Sequence, residues 1–137
     1  MGLKAFTFSC FLLLSAVSVQ AQDALPRQIT EAFDAYVALP QSLVPVLKSA
    51  SDKQSADAAA VRLLPELKKL YGIRDALRKV NALTPQQNEV IRRKYERDMR
   101  EQWGLVYTEM FRLQQNRCYG SNDFAKLYKL MCLLLNK

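Results

Sequence analysis

From Leu25 onward the apolar positions of this chain recur at three- and four-residue steps almost without interruption, and no stretch alternates cleanly enough to make a strand. The expected fold class is all-α: a small helical bundle of four to five helices with one long helix. The first helix opens at Pro26 and carries Ile29, Phe33, Tyr36 and Val37 as its stripe; Pro40 is expected to end it. A short second piece follows, capped by Ser42, with Pro45 in its first turn and Leu43, Val44, Val46 and Leu47 as its apolar content. Polar Ser49 to Ser55 makes the next connection. The third helix starts near Ser51 or Ser55 and sets Leu63, Leu67, Leu70 and Leu77 down one face, with Leu64 and Tyr71 beside them. Pro65 cannot donate to the carbonyl of Val61 and is expected to kink it.

The longest helix, near 85–117, has the clearest start. In Leu83-Thr84-Pro85-Gln86-Gln87, Thr is set to cap, Pro occupies the first helical position and Gln follows three residues after the cap, so each side chain can satisfy an end amide of the other. Ile91, Tyr95, Met99, Trp103, Val106, Met110 and Leu113 then repeat along it. Its first half keeps only a narrow apolar seam and is expected to project. The second half, with Leu105, Val106, Tyr107, Met110 and Phe111 around much of its circumference, is expected to be buried. After the turn at Tyr119-Gly120-Ser121 comes a last helix that is apolar on most sides, which implies a central position or a subunit contact.

The first 21 residues change the setting of all this. Lys4 begins an otherwise uncharged run of about 15 residues from Ala5 to Val19, shorter than the roughly 20 that span a bilayer, and Val19-Gln20-Ala21 offers a peptidase site. Residues 1–21 read as a cleaved signal peptide and 22–137 as one helical domain, in an exported protein, periplasmic or secreted. Removing Lys4 lowers the net charge of +7 by one, still enough to favour anionic partners.

Candidate chemistry is narrow. With 0 His, catalysis by Ser-His-Asp or Cys-His and histidine-based metal or haem sites all drop out. Gly2, Gly72, Gly104 and Gly120 stand apart and never form a phosphate loop. The carboxylate pairs Asp52/Asp57 and Glu96/Glu101 do not share an apolar face, so no enzyme activity, cofactor or metal is expected. Cys118 and Cys132 remain after the cut as a candidate disulfide. If Cys118 ends the long helix, Cys132 lies about 15 Å away along an antiparallel last helix, beyond the roughly 7 Å a bridge allows. A bridge forms only if the long helix stops earlier and Cys118 folds back, so intrachain pairing, buried free thiols and an intermolecular link all stay open.

Lys68, Lys69, Arg74, Arg78 and Lys79 make the second half of the third helix positive, opposed only by Glu66 and Asp75, and form the candidate partner-binding face. Arg93, Arg97 and Arg100 share a face of the long helix, but Glu89, Glu101 and Glu96 lie four residues from them and neutralise it. No nucleic-acid motif or aromatic platform accompanies these charges, so nucleic acid is not an expected partner.

Leu83, Thr84 and Gln87, opening a long charged helix in a small exported chain, resemble the Leu-Thr-x-x-Gln motif of the Spy/CpxP family of periplasmic chaperones and stress sensors. That resemblance implies an all-α dimer whose basic, partly apolar concave face holds unfolded clients without ATP. Members usually carry two copies of the motif and this chain has one. The expectation from the residues themselves is an exported helical protein that binds, most of all, protein. Its alternatives are a client-holding chaperone and a basic binder of anionic envelope lipid or glycan, with a homodimer through the apolar last helix as a further expectation.

Overall fold

The computed structural model describes residues 24–80 and 82–136, so the signal peptide expected over residues 1–21 lies outside the described residues. Four α-helices and one short 3-10 turn make up the described chain: α1 Arg27–Ser49, α2 Lys53–Arg78, α3 Pro85–Gln115 and α4 Asn122–Leu135, with the turn at Arg117–Gly120. The protein is an all-α bundle, and no strand occurs among the described residues.

Pro40 does not end the first helix. α1 runs through both Pro40 and Pro45 to Ser49, so the two pieces expected from sequence are one helix of 23 residues. A proline inside a helix leaves the carbonyl four residues back without a donor. For Pro40 that carbonyl belongs to Tyr36, and the indole Nε1 of Trp103 donates to it at 3.0 Å from α3. The Pro40 ring is buried and adds to the core. The carbonyls left by Pro45 and Pro65 belong to Gln41 and Val61, which are exposed residues within reach of water, and α2 likewise continues unbroken through Pro65.

Capping fixes the other starts. Asp52 accepts from the Ser55 amide at 2.7 Å while the Ser55 hydroxyl accepts from the Asp52 amide at 3.0 Å, so α2 begins between the two serines that mark its start in the sequence. The Ser55 amide also holds the Asp52 carboxyl below its ordinary range.

The helices run up, down, up, down. α3 lies along α1 in the same direction: the Tyr95 hydroxyl donates to Asp34 at 2.7 Å, Trp103 meets Tyr36, and Arg112 donates to the Leu47 carbonyl at 2.8 Å. α4 packs beside α2, where Leu130 and Leu134 meet Leu64, Leu67 and Tyr71, and its Tyr128 hydroxyl reaches the Met110 carbonyl at 3.0 Å. Leu43, Leu47, Leu63, Leu70, Val106, Leu113, Phe124 and Met131 form the shared core. The backbones of α2 and α3 stay apart, and α4 packs on α2 while reaching α3 through the Tyr128 side chain. With 14 residues against the 26 of α2, it covers only the upper part of α2.

Two further expectations need correcting. The first half of α3 does not project: Tyr95 is buried and its ring stacks on Phe33 with centroids 5.2 Å apart, because the unbroken α1 supplies a surface there. The second half is not enveloped, since only the face of Trp103, Val106, Met110 and Leu113 turns inward and Leu105, Tyr107 and Phe111 remain more than half exposed. Nor is α4 central. Phe124 and Met131 are buried, whereas Leu130 and Leu133 look outward.

Between α3 and α4 the backbone is left-handed, with φ of 49° at Arg117, 51° at Cys118, 54° at Tyr119 and 75° at Gly120. Such a conformation costs an L-residue about 1–2 kcal/mol. Here it is held by the Tyr119 amide donating to Asn116 at 2.8 Å, the Ser121 amide donating to Cys118 at 3.1 Å, and burial of Cys118. Arg117 is exposed and makes no side-chain hydrogen bond or ion pair among the described residues. Arg117→Gly is therefore expected to stabilise the protein by about 0.5–1 kcal/mol, the strain relief exceeding the entropy of the freer unfolded chain. The urea midpoint should rise; a lower midpoint would show that Arg117 supplies contacts worth more than the strain.

Candidate functional site

The outward apolar side chains concentrate where α4 lies on α2. Leu63, Leu67 and Leu70 turn α2 toward the core, which brings Leu64, Lys68 and Tyr71 one step round the helix to the side facing α4. Phe124 and Met131 point α4 inward and leave Leu130 and Leu134 toward α2. The result is a groove of about 220 Å³ lined by Leu64, Leu67, Lys68, Tyr71, Leu130 and Leu134. Its walls are apolar except for Lys68, which has no ion-pair partner among the described residues. Tyr71 is 60% exposed and Val61 and Leu133, also exposed, extend the apolar surface on either helix.

The five basic residues expected to form one face are dispersed. Lys69 donates to Glu66 at 3.0 Å, and buried Glu66 also accepts from the Ser42 hydroxyl at 2.6 Å. Lys79 pairs with Asp75 at 2.7 Å, which raises the lysine's pKa above its ordinary value. Lys68 serves the apolar groove. Arg74 and Arg78 line a different cleft, of about 300 Å³, with Phe33, Tyr36 and Leu77. What separates them is the 100° step of the helix, which a count of charges along a segment does not register.

Thr84 and Gln87 of the Leu-Thr-x-x-Gln stretch are both engaged at the start of α3. Thr84 accepts from the Gln87 amide at 3.1 Å, Gln87 accepts from the Thr84 amide at 2.9 Å, and the Gln87 side chain also donates to the Ala24 carbonyl at 3.2 Å. This is a capping box that ties down the entry to α1, and Leu83 beside it is half-buried.

Cys118 and Cys132 are both free thiols. The long helix does stop early, at Gln115, and the left-handed turn folds Cys118 into the core against α4. Burial pushes the Cys118 thiol up, with the nearby Cys132 adding to it. Burial also pushes Tyr128 up to about 12, again with a contribution from Cys132. Nothing in this cluster activates a nucleophile. Among the described residues no group of His, Cys, Asp and Glu side chains is placed to hold a metal, and no helix is long and apolar enough to cross a membrane.

Sequence periodicity places Leu64 and Tyr71 beside the core stripe but gives no hint that α4 is peripheral, so it misses Leu130 and Leu134 as groove walls. Phe33 and Tyr36 read as core residues and in fact also floor the arginine cleft. Comparison with family models, with curated proteins and with solved structures finds no match to this chain.

Proposed function

We propose that this is an exported binding protein that docks an acidic, amphipathic segment of a partner protein in the groove between α2 and α4, without cofactor or catalysis. The observation that carries this reading is an apolar groove whose one charge, Lys68, is unpaired among the described residues. Two apolar side chains one helical turn apart fit such a groove, as in helix-in-groove recognition. Charge selects the occupant. A second copy of this chain, still net positive without Lys4, would bring a second Lys68 against the first, whereas an acidic segment neutralises it.

The test is titration with a helical peptide carrying leucines at i and i+4 flanked by glutamates. Saturable binding is expected, weakened about 10-fold or more by Leu130→Glu, since burying one leucine contributes about 1.5–3 kcal/mol. Binding should also weaken as salt is raised past about 0.15 M. Absent binding, or equal binding by the Leu130→Glu protein, would contradict the reading.

A second reading, client holding of the Spy/CpxP kind, draws on the exposed Leu105, Tyr107 and Phe111 of α3, which give the molecule apolar side chains on more than one surface. It predicts near-stoichiometric suppression of aggregation of an unrelated unfolded protein, unaffected by Leu130→Glu. Retention on anionic vesicles in place of peptide binding would point instead to the envelope surface.

A further inference from the structure

Below the end of α4 the bundle has only three helices, and the space between α2 and α3 stays open over α1. The cleft there is floored by Phe33 and Tyr36 and walled by Arg74, Leu77 and Arg78. The floor is braced from behind: Phe33 stacks on Tyr95, and Tyr36 stacks on Trp103 with centroids 4.4 Å apart. The walls carry two positive charges and no negative one. Neither Arg74 nor Arg78 has an ion-pair partner among the described residues, and the Nε of Arg74 is buried with no acceptor. A buried guanidinium N–H without an acceptor is costly, and a pair of guanidinium groups over an aromatic floor suits a carboxylate attached to an apolar body. At about 300 Å³ the cleft sits at the small end of ligand sites.

We infer that the cleft between α1 and α2 binds a small organic monocarboxylate, its head on Arg74 and Arg78 and its apolar body on Phe33, Tyr36 and Leu77. The site is separate from the α2/α4 groove and does not depend on protein docking there.

The test is calorimetric titration of the whole mature chain with 3-phenylpropanoate and octanoate, with 3-phenylpropanol as the neutral counterpart and inorganic phosphate as the bare anion. One or both carboxylates should bind saturably, at least 10-fold more tightly than the alcohol and than phosphate. Arg74→Gln should weaken carboxylate binding about 10-fold or more and Arg78→Gln several-fold, while Lys79→Gln, whose charge is engaged with Asp75, should leave it unchanged. The ligand comparison on the unmodified chain stands whether or not Arg74→Gln folds, and circular dichroism checks that variant. Binding of the alcohol or of phosphate as tightly as the acids, no saturable binding of either acid, or unchanged binding by folded Arg74→Gln would overturn the inference. Leu130→Glu serves as the cross-check: it should weaken peptide docking about 10-fold or more and leave carboxylate binding intact.

Discussion

Trp103→Ala is expected to cost about 4 kcal/mol, most of the stability of a marginal domain. The indole is buried at 4% exposure, so its removal leaves a large cavity against Tyr36. It is also the donor for the Tyr36 carbonyl that Pro40 leaves unpaired inside α1. A buried carbonyl stripped of its donor adds about 1–3 kcal/mol to the loss. Trp103→Phe separates the two contributions, since it keeps most of the ring and removes the N–H; about 2 kcal/mol is expected. Urea unfolding followed by circular dichroism measures both. A loss below about 1 kcal/mol for Trp103→Ala would mean that α1 crosses Pro40 without help from α3.

Arg112→Ala is expected to cost about 3 kcal/mol, discounted because the side chain is 31% exposed. Arg112 gathers the top of the bundle. Its guanidinium donates to the carbonyls of Leu47 and Ala50 at 2.8 Å each, to Glu109 at 2.8 Å and to the Tyr119 hydroxyl at 2.7 Å. The first two acceptors lie at the end of α1, where helix carbonyls lack intrahelical donors and a cation is favoured by the helix dipole. Without the arginine, Glu109 keeps a buried carboxylate and no cation beside it. Arg112→Lys should recover less than half of the loss, because an ammonium cannot reach four acceptors set in a plane. Since Tyr119 loses its anchor as well, amide exchange of Tyr119 and Ser121 should quicken more than that of the α1–α2 core. Equal stability of Arg112→Ala and the parent would contradict this assignment.

What could be read from the sequence was the part governed by neighbours in the chain. The helical period, the length of α3 and its start at Thr84 and Gln87 all depend on residues within a few positions of one another, and all appear in the fold. The fate of Pro40 depended on Trp103, 67 residues away from Tyr36, and local rules predicted a break. The left-handed turn was equally hidden, since of its residues only Gly120 favours positive φ and the strain at Arg117, Cys118 and Tyr119 is held by tertiary contacts. For the candidate sites the chemistry was legible and the placement was not. Lys68, Arg74 and Arg78 stood out as basic residues, but their division between an apolar groove and an aromatic cleft follows from where the short α4 ends.

The central claim is that the α2/α4 groove is where a partner protein docks. Its most direct measurement is photo-crosslinking in the producing cell, with p-benzoylphenylalanine placed at Tyr71 on the groove wall and, separately, at exposed Arg97 on α3. The account predicts one dominant light-dependent adduct from Tyr71, mapping to an acidic, leucine-bearing segment of the partner, strongly reduced by Leu130→Glu and absent from Arg97. No adduct at Tyr71, or the same adducts from both positions, would contradict it.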